Sequence, residues 1–278
     1  MKVVKFLDAL NKRIQFHQIH AFAGQMAFFF VLSFFPLLIF TLSLISKLNI
    51  DYAFVVEAFR RYLPHNISVL ITDFIDQTIS IKGTAILSIS GVTMIYSASR
   101  AVSALQRAVN TSYEIKETRH TLWVRLVGMF YTLLFTVIIV LSLMIPTLAR
   151  KLIDFTAGLF MMQINANMVV VFLYLRNILL MLSFVVAIVS IYAVLPNKKM
   201  HLRDIYPGAI FAIFGSLFTN FLFSEVVVTL TDYSLLYGSL SAMIAFMIWV
   251  YLLAQIIIIG AEINAIFIAQ KEVKSDNL

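Results

Sequence analysis

Two pairs of polar side chains lie inside long apolar segments, and their spacing places each pair on one helix face. Arg100 and Arg107 are seven residues apart, as are Gln255 and Glu262. Seven residues make about two turns of α-helix, so both members of a pair project in the same direction. An ionisable group in hydrocarbon costs about 2.5 to 3.5 kcal/mol to insert. These residues are therefore the first candidates for a substrate or ion path.

Further polar residues extend that candidate path. Asn110 and Asn264 follow the two pairs. A second charged tier consists of Arg176 in one apolar segment, Glu225 near the end of the next, and Asp232 in the loop after it. Three interpretations stay open. The charges bind something that crosses the membrane, or they pair with one another (Arg100 with Glu262, Arg176 with Glu225), or the arginines extend to lipid headgroups.

Other kinds of site have little support. His17 and His20 have a ligand-compatible spacing, but no carboxylate completes a metal set and there is no H-E-x-x-H motif. The chain has no cysteine and no glycine-rich phosphate loop. We therefore expect no catalytic residues, no metal and no cofactor, and we do not expect an enzyme. The net charge of +7 is spread beside the apolar segments, which argues against nucleic acid as a partner.

The segments that position these residues are typical of a membrane protein. Hydrophobic residues make up 61% of the chain, charged residues 13%, and the mean hydropathy is +0.94, whereas soluble domains have about 25% charged residues. A span needs roughly 20 apolar helical residues. The pattern predicts an all-α, polytopic fold with a cytoplasmic segment 1–22, a membrane domain 23–269 and a cytoplasmic tail 270–278. Its six spans are predicted at 23–46, 84–107, 125–146, 168–195, 205–228 and 239–269.

Two regions required a choice. Between 155 and 197 only Arg176 interrupts the apolar sequence, and one residue cannot connect two antiparallel helices, so a single helix is predicted there. Residues 66–80 show apolar positions at helical spacing with Thr72 and Asp73 on the other face. This pattern predicts an amphipathic helix between spans one and two, either an interfacial anchor or a lid.

Lysine and arginine set the expected orientation. If the N-terminus is inside, the inner segments hold about twice as many lysines and arginines as the outer segments. Both termini are therefore expected in the cytoplasm. Pro36 inside span one predicts a kink. Pro207 and Gly208 at the start of span five, and Gly238 before span six, are the other expected kink or hinge positions.

Several short sequences, in this order, resemble the YihY/BrkB family of bacterial inner-membrane proteins. They are Ser33-Phe34-Phe35-Pro36, Leu105 to Tyr113, Leu195-Pro196, Pro207-Gly208-Ala209, Tyr237-Gly238-Ser239-Leu240 and Gly260-Ala261-Glu262-Ile263-Asn264. The resemblance covers roughly residues 20 to 268. It implies six transmembrane helices and residence in the bacterial plasma membrane, and no settled substrate. Some relatives carry the label ribonuclease BN, for which this sequence offers no chemical support.

We therefore expect a transporter or permease for an ion, a small solute or a lipid. The alternative is a membrane scaffold or envelope-maintenance factor whose polar residues only hold helices together. The partners left open are membrane lipids, an unidentified transported substrate and further copies of the chain.

Overall fold

The computed structural model describes residues 2–47, 68–69, 72–73, 84–120, 122–131, 133, 166–229 and 239–276. Seven helices account for nearly all of this part of the chain, and it contains no strand, so the fold is all-α there. The helices are α1 (Lys2–Phe16), α2 (Ile19–Lys47), α3 (Thr84–Ser112), α4 (Leu122–Tyr131), α5 (Ala166–Val194), α6 (Leu202–Thr229) and α7 (Ser239–Asp276).

The outer surface of the helices is apolar. On α5 and α6 the exposed side chains include Tyr174, Ile178, Met181, Phe214, Leu217, Phe218 and Phe221. Apolar patches of this extent are rare on soluble monomers and mark contact with a membrane or a partner. Within the described residues, three segments are long and apolar enough to cross a bilayer: Ile19–Thr41, Leu202–Phe223 and Met243–Lys271.

Those three segments coincide with predicted spans one, five and six. Predicted spans two and four are also continuous helices, α3 and α5, and α5 passes through Arg176 without a break, as expected. α3 carries many serines besides its two arginines, which lowers its mean hydropathy. Much of predicted span three, from 134 onward, lies outside the described residues. The total of six spans therefore stays a prediction.

Close antiparallel packing joins the helices. Gln25 of α2 contacts Arg107 of α3, while Phe40 packs on Gly91, so the start of α2 lies beside the end of α3. α6 and α7 are also antiparallel, since Gly208 lies against Asn264 and Gly215 against Ile256. α7 packs on α1, α2, α3 and α6 and is the central helix of the described bundle. Alanines at many of the contacts let the backbones approach closely.

One end of the bundle gathers most of the polar residues. Parts of five helices and two connecting segments meet there. They are the start of α2, the end of α3, the end of α5, the start of α6, the last third of α7, and segments 113–120 and 195–201. We call this the loop end. The helix α1 also lies at this end, against α7, where Phe6 contacts Phe267. The sequence interpretation had no helix within 1–22.

The predicted kink and hinge positions, and the predicted amphipathic segment, agree with the structure to different extents. α2 continues from Ile19 to Lys47 through Pro36, and α6 begins at Leu202, so Pro207 lies in its second turn and does not open the helix. Gly238 lies outside the described residues. In the predicted amphipathic segment only four residues are described. They are helical, and the Thr72 hydroxyl is buried and donates to the Ser68 carbonyl at 2.7 Å.

Candidate functional site: the polar loop end

Glu262 is the most deeply buried charged side chain at the loop end, with an exposed fraction of 0%. Its Oε2 accepts a hydrogen bond from Arg13 Nε at 2.7 Å. Its Oε1 lies 2.6 Å from His17 Nδ1. Both partners belong to the N-terminal segment, so the last helix of the bundle is clamped by the first. A buried carboxylate needs such partners, because an unpaired charge away from water is costly.

Arg13 connects this carboxylate to the end of α3. Its Nη1 donates to Glu114 Oε1 at 2.8 Å, and its Nη2 donates to the Ser112 carbonyl at 2.6 Å. All three nitrogens of the guanidinium therefore have an acceptor. The planar fork of arginine suits such multiple contacts better than the point charge of lysine. We call Arg13, His17, Ser112, Glu114 and Glu262 the Glu262 cluster.

Two left-handed residues position the cluster. Gln18 has a φ of 51° and ends α1, while its carbonyl accepts from the amides that begin α2. This tight turn directs His17 toward α7. Glu114 has a φ of 56° and closes α3, with the Ile115 amide bonded to the Asn110 carbonyl and the Glu114 amide to the Thr111 carbonyl.

That pattern at the end of α3 is a Schellman motif, in which the left-handed position is usually glycine. A glutamate there costs roughly 1–2 kcal/mol of steric strain. The side chain of Glu114 contacts Arg13, which glycine could not do. The strained residue is therefore the one that ties α3 to α1, as strain at a special position often indicates.

Asn264 joins α7 to two other elements. Its Oδ1 accepts from the Gly208 amide at 2.6 Å, and its Nδ2 donates to the Tyr113 hydroxyl at 3.2 Å. Burial raises the pKa of Tyr113, so its hydroxyl stays neutral and available as an acceptor. Asn264 itself is 0% exposed. This predicted site residue thus serves as a bridge between α6, α7 and the end of α3.

Gly208 is a close-packing position. A Cβ at 208 would collide with the Gly260 carbonyl oxygen and lie 2.7 Å from the Asn264 side chain. Gly260 is equally confined, by the Tyr192 hydroxyl and the Gly208 carbonyl. The Tyr192 hydroxyl donates to the Ile257 carbonyl at 2.6 Å and so brings α5 into the same contact. Gly208 therefore lies at a point where three helices are packed together, and its role as a hinge stays a prediction.

A second group of polar residues surrounds Glu117. Its Oε2 accepts from Gln106 and Asn110, both at 2.8 Å, and Arg119 binds both carboxylate oxygens. The hydrogen bonds from Arg119 lower the pKa of Glu117 to about 2, although partial burial opposes the shift. We call Gln106, Asn110, Glu117, Arg119 and Asn197 the Glu117 cluster.

The Glu117 cluster ties two connecting segments together. Arg119 Nη2 donates to the Leu195 carbonyl at 2.7 Å, and the Asn197 amide donates to Asn110 Oδ1 at 2.9 Å. The Asn197 side chain then donates to the Lys116 carbonyl and to the Thr118 hydroxyl. Asn110, predicted as part of a path, is buried and satisfied in this way. Segments 113–120 and 195–197 are therefore fixed to each other.

Arg100 does not contact Glu262. Arg100 lies over the Tyr96 ring, 5.4 Å from its centroid, and donates to the Tyr96 hydroxyl at 3.1 Å. Arg107 donates to Gln25 Oε1 at 3.1 Å. The interpretation in which Arg100 pairs with Glu262 is therefore wrong, because Arg13 and His17 occupy both carboxylate oxygens.

The remaining candidates have the following positions. Gln255 Nε2 lies 2.8 Å from His20 Nδ1, so His17 and His20 face different partners on α7. Arg176 and Glu225 lie on α5 and α6, and their side chains are outside the described part. Asp232 lies outside it altogether. The second charged tier therefore stays a prediction.

Two surface clefts flank the Glu262 cluster. One, of about 180 Å³, is lined by Arg13, Tyr113, Glu114, Lys198 and Met200, among others. The other is wider and more open, about 590 Å³, and lies beside Phe16, His17 and the outer side of Arg13. Glu262 lies behind the arginine and the histidine. Access to this carboxylate from the loop end therefore requires the side chain of Arg13 or His17 to move.

Sequence reasoning missed several of these residues. Arg13, Glu114, Glu117, Arg119 and Asn197 are not among the site residues predicted from the sequence. A signal for α1 was present, since Phe6, Leu10, Arg13 and His17 recur at helical spacing and form one face. A second signal was the absence of glycine after Ser112. Helices commonly end with a left-handed glycine, so a different residue at that position points to a special role.

Comparisons with known proteins confirm the resemblance. The family described as "Virulence factor BrkB" matches residues 10–277. The chain is 32% identical over 278 residues to a ribonuclease-like protein, YfkH, of Bacillus subtilis, covering 99% of both chains. It is 28% identical over 273 residues to a UPF0761 membrane protein of Vibrio parahaemolyticus, covering 94% of this chain and 82% of that one. No solved structure matches. With its apolar helices and this match along nearly its whole length, the chain belongs to the BrkB family of membrane proteins.

Proposed function

We propose that this protein is a transporter or permease for an ion, a small solute or a lipid, and that α1 closes its loop end. The observation that carries the proposal is the position of Glu262. This carboxylate is 0% exposed on the central helix, and two groups from the N-terminal segment hold it. Ionisable residues within membrane helices commonly mark transport pathways.

The proposed setting is a bacterial plasma membrane, with six spans and the loop end in the cytoplasm. Basic residues support this orientation, because Lys5, Lys12, Lys116, Lys198 and Lys199 all belong to α1 or to the segments at that end. Lysine and arginine are enriched on the cytoplasmic side of membrane proteins. Both termini would then be cytoplasmic.

Movement of α1 would be the gating step. When Arg13 and His17 withdraw, Glu262 is left without partners and becomes a binding group for a cation or a proton on α7, close to the loop end. The charge would favour either rebinding of α1 or occupation by the transported cation. Closure and transport would thus compete for the same carboxylate.

Flux through reconstituted proteoliposomes tests this proposal. Proton-, sodium- and potassium-sensitive dyes and a fluorescent phosphatidylglycerol serve as probes. Arg13→Ala should raise the flux of one probe at least several-fold, and Glu262→Gln should abolish that flux. Lys12→Ala, which removes a charge from the exposed face of α1, is the matched control and should behave as the wild type. Flux equal to that of empty vesicles for every probe and every variant would refute transport of these ions and of this lipid.

A second candidate is a membrane scaffold. The observation that favours it is that Glu262, Asn264, Asn110 and Glu117 all have their hydrogen bonds satisfied by the protein. In that case the clusters only hold helices together. Replacing Arg13, His17 and Glu262 together by apolar residues would then restore the stability lost on single replacement, without any change in flux.

Ribonuclease activity is not part of the proposal. One relative has a ribonuclease-like name, and that name describes the relative. In the described part of this chain, the buried carboxylate of Glu262 is engaged by arginine and histidine, and the more exposed carboxylate of Glu117 is engaged by arginine. A carboxylate bound in this way is a poor general base.

A further inference from the structure

Arg100 and Arg107 lie on one side of α3, and both side chains reach the surface. Arg107 is exposed and Arg100 is partly exposed, while Ser103 and Ala104, the small residues between them on the same side of the helix, are buried. The two arginines are seven residues apart, so their Cα atoms are separated by roughly 10 Å along the helix axis. Arg107 lies level with Gln25, near the loop end, and Arg100 lies about two turns deeper.

Their partners within the protein are neutral. Arg100 contacts the Tyr96 ring and hydroxyl, and Arg107 contacts the Gln25 amide. Within the described residues neither has a carboxylate at ion-pair distance. The other interior arginines differ in this respect, since Arg13 binds Glu262 and Glu114, and Arg119 binds Glu117. The charges of Arg100 and Arg107 are therefore left for an external anion.

The surroundings identify the kind of anion. Ile89, Val92 and Tyr96 continue the same exposed face of α3, with exposed fractions of 67%, 71% and 51%. In a membrane, such a face contacts acyl chains, and the arginines beside it require an anionic group at headgroup depth. Phosphate matches the guanidinium fork through two parallel hydrogen bonds.

We propose that Arg100 and Arg107 bind the phosphate of an anionic phospholipid, whose acyl chains lie along the apolar part of α3. Arg107 holds the headgroup near the loop end, and Arg100 extends the site toward the membrane interior. The inference goes beyond the transport proposal, since the lipid binds whether or not anything is transported. It also gives a role to the two arginines, neither of which pairs with Glu262.

Retention of lipid by the purified full-length protein tests the inference. The protein is incubated in detergent with phosphatidylglycerol or with phosphatidylcholine, and bound lipid is counted by native mass spectrometry. The double variant Arg100→Gln, Arg107→Gln should retain phosphatidylglycerol at least ten-fold less than the wild type, with phosphatidylcholine unchanged. Arg203→Gln, which removes one exposed charge at the start of α6, is the control and should retain the lipid normally.

Two further measurements complete the test. Inorganic phosphate at millimolar concentration should not displace the lipid; displacement would show a site for free phosphate and overturn the lipid assignment. Arg107→Lys keeps the charge but loses the fork, so it should retain less lipid than the wild type and more than Arg107→Gln. It also provides a folded comparison should the double variant fail to fold. Equal retention of phosphatidylglycerol by the wild type and the arginine variants would refute the inference.

Discussion

Arg13 and Glu262 are separated by 249 positions in the sequence, and their side chains meet at 2.7 Å. The contact joins the first helix of the chain to its last. Glu262 is fully buried and Arg13 is mostly so, with 23% of its side chain exposed. Water therefore screens this ion pair little, in contrast to the exposed pair between Lys12 and Asp8 on α1. The N-terminal helix is thus an integral part of the membrane domain at the loop end.

Loss of the Glu262 charge should destabilise the protein strongly. Glu262→Ala leaves Arg13 and His17 without their shared acceptor, and breaking half of a buried pair costs about 3–5 kcal/mol. The free energy of unfolding in mild detergent measures the effect. Asp8→Asn breaks only the exposed pair on α1 and should change the stability little. A loss below about 1 kcal/mol for Glu262→Ala would contradict the clamp.

Gly208→Ala should be severely disruptive. The added Cβ would collide with the Gly260 carbonyl, which is rigid backbone, and would crowd the Asn264 side chain. We expect α6 and α7 to separate locally, with a large drop in the thermal unfolding temperature and in folded yield. Gly24→Ala on α2 is the matched control, because nothing lies within 4 Å of its added Cβ. That control should be neutral or stabilising by about 1 kcal/mol, since alanine is the better helix former. Equal behaviour of the two variants would exclude close packing at 208.

Two substitutions at Glu114 separate the effect of backbone strain on stability from the effect of the ion pair with Arg13. Glu114→Gln keeps the left-handed residue and removes the charge that faces Arg13, so it should be less stable than the wild type. Glu114→Gly loses the same contact but relieves roughly 1–2 kcal/mol of steric strain. The glycine variant should therefore unfold at a higher temperature than the glutamine variant. The reverse order would mean that the turn after α3 is not strained.

Glu117 should make the protein sensitive to acid. Its pKa is about 2 in the folded protein, against the ordinary 4.5, chiefly because Arg119 hydrogen-bonds its charged form. A lowered folded pKa contributes stability above the unfolded value, and that contribution is lost as the pH falls from about 4.5 to about 2. Unfolding followed between pH 5 and pH 2 should show a shallower decline for Glu117→Gln than for the wild type. Parallel curves would count against the assignment.

The positions of the long apolar helices could be predicted from sequence, whereas α1 was not predicted. A backbone in lipid must satisfy its own hydrogen bonds. A long uncharged stretch such as that after His20 is therefore expected to be helical. The predicted limits of 239–269 and 205–228 agree with the starts of α7 and α6 within a few residues. The family resemblance rested on short motifs at Pro36, Pro207 and Glu262, and the comparisons confirmed it.

The partners of the polar residues could not be predicted in the same way. Helical spacing fixes which residues share a face, but it does not say which other helix covers that face. The sequence offered Arg100, on another span, as the partner of Glu262. In the structure its partner is Arg13 of α1. Asn264 and Gly208 were read separately, as a path residue and a hinge, although one hydrogen bond joins them.

The sequence by itself determined that this chain is helical and belongs in a membrane, because hydropathy and backbone hydrogen bonding depend only on the order of residues along the chain. The tertiary structure alone decided that α1 folds back on α7, that Glu262 is held by Arg13 and His17, and that Arg100 and Arg107 reach the surface. Those outcomes depend on which surfaces come together when the helices pack, and residues as far apart as 13 and 262 meet only then.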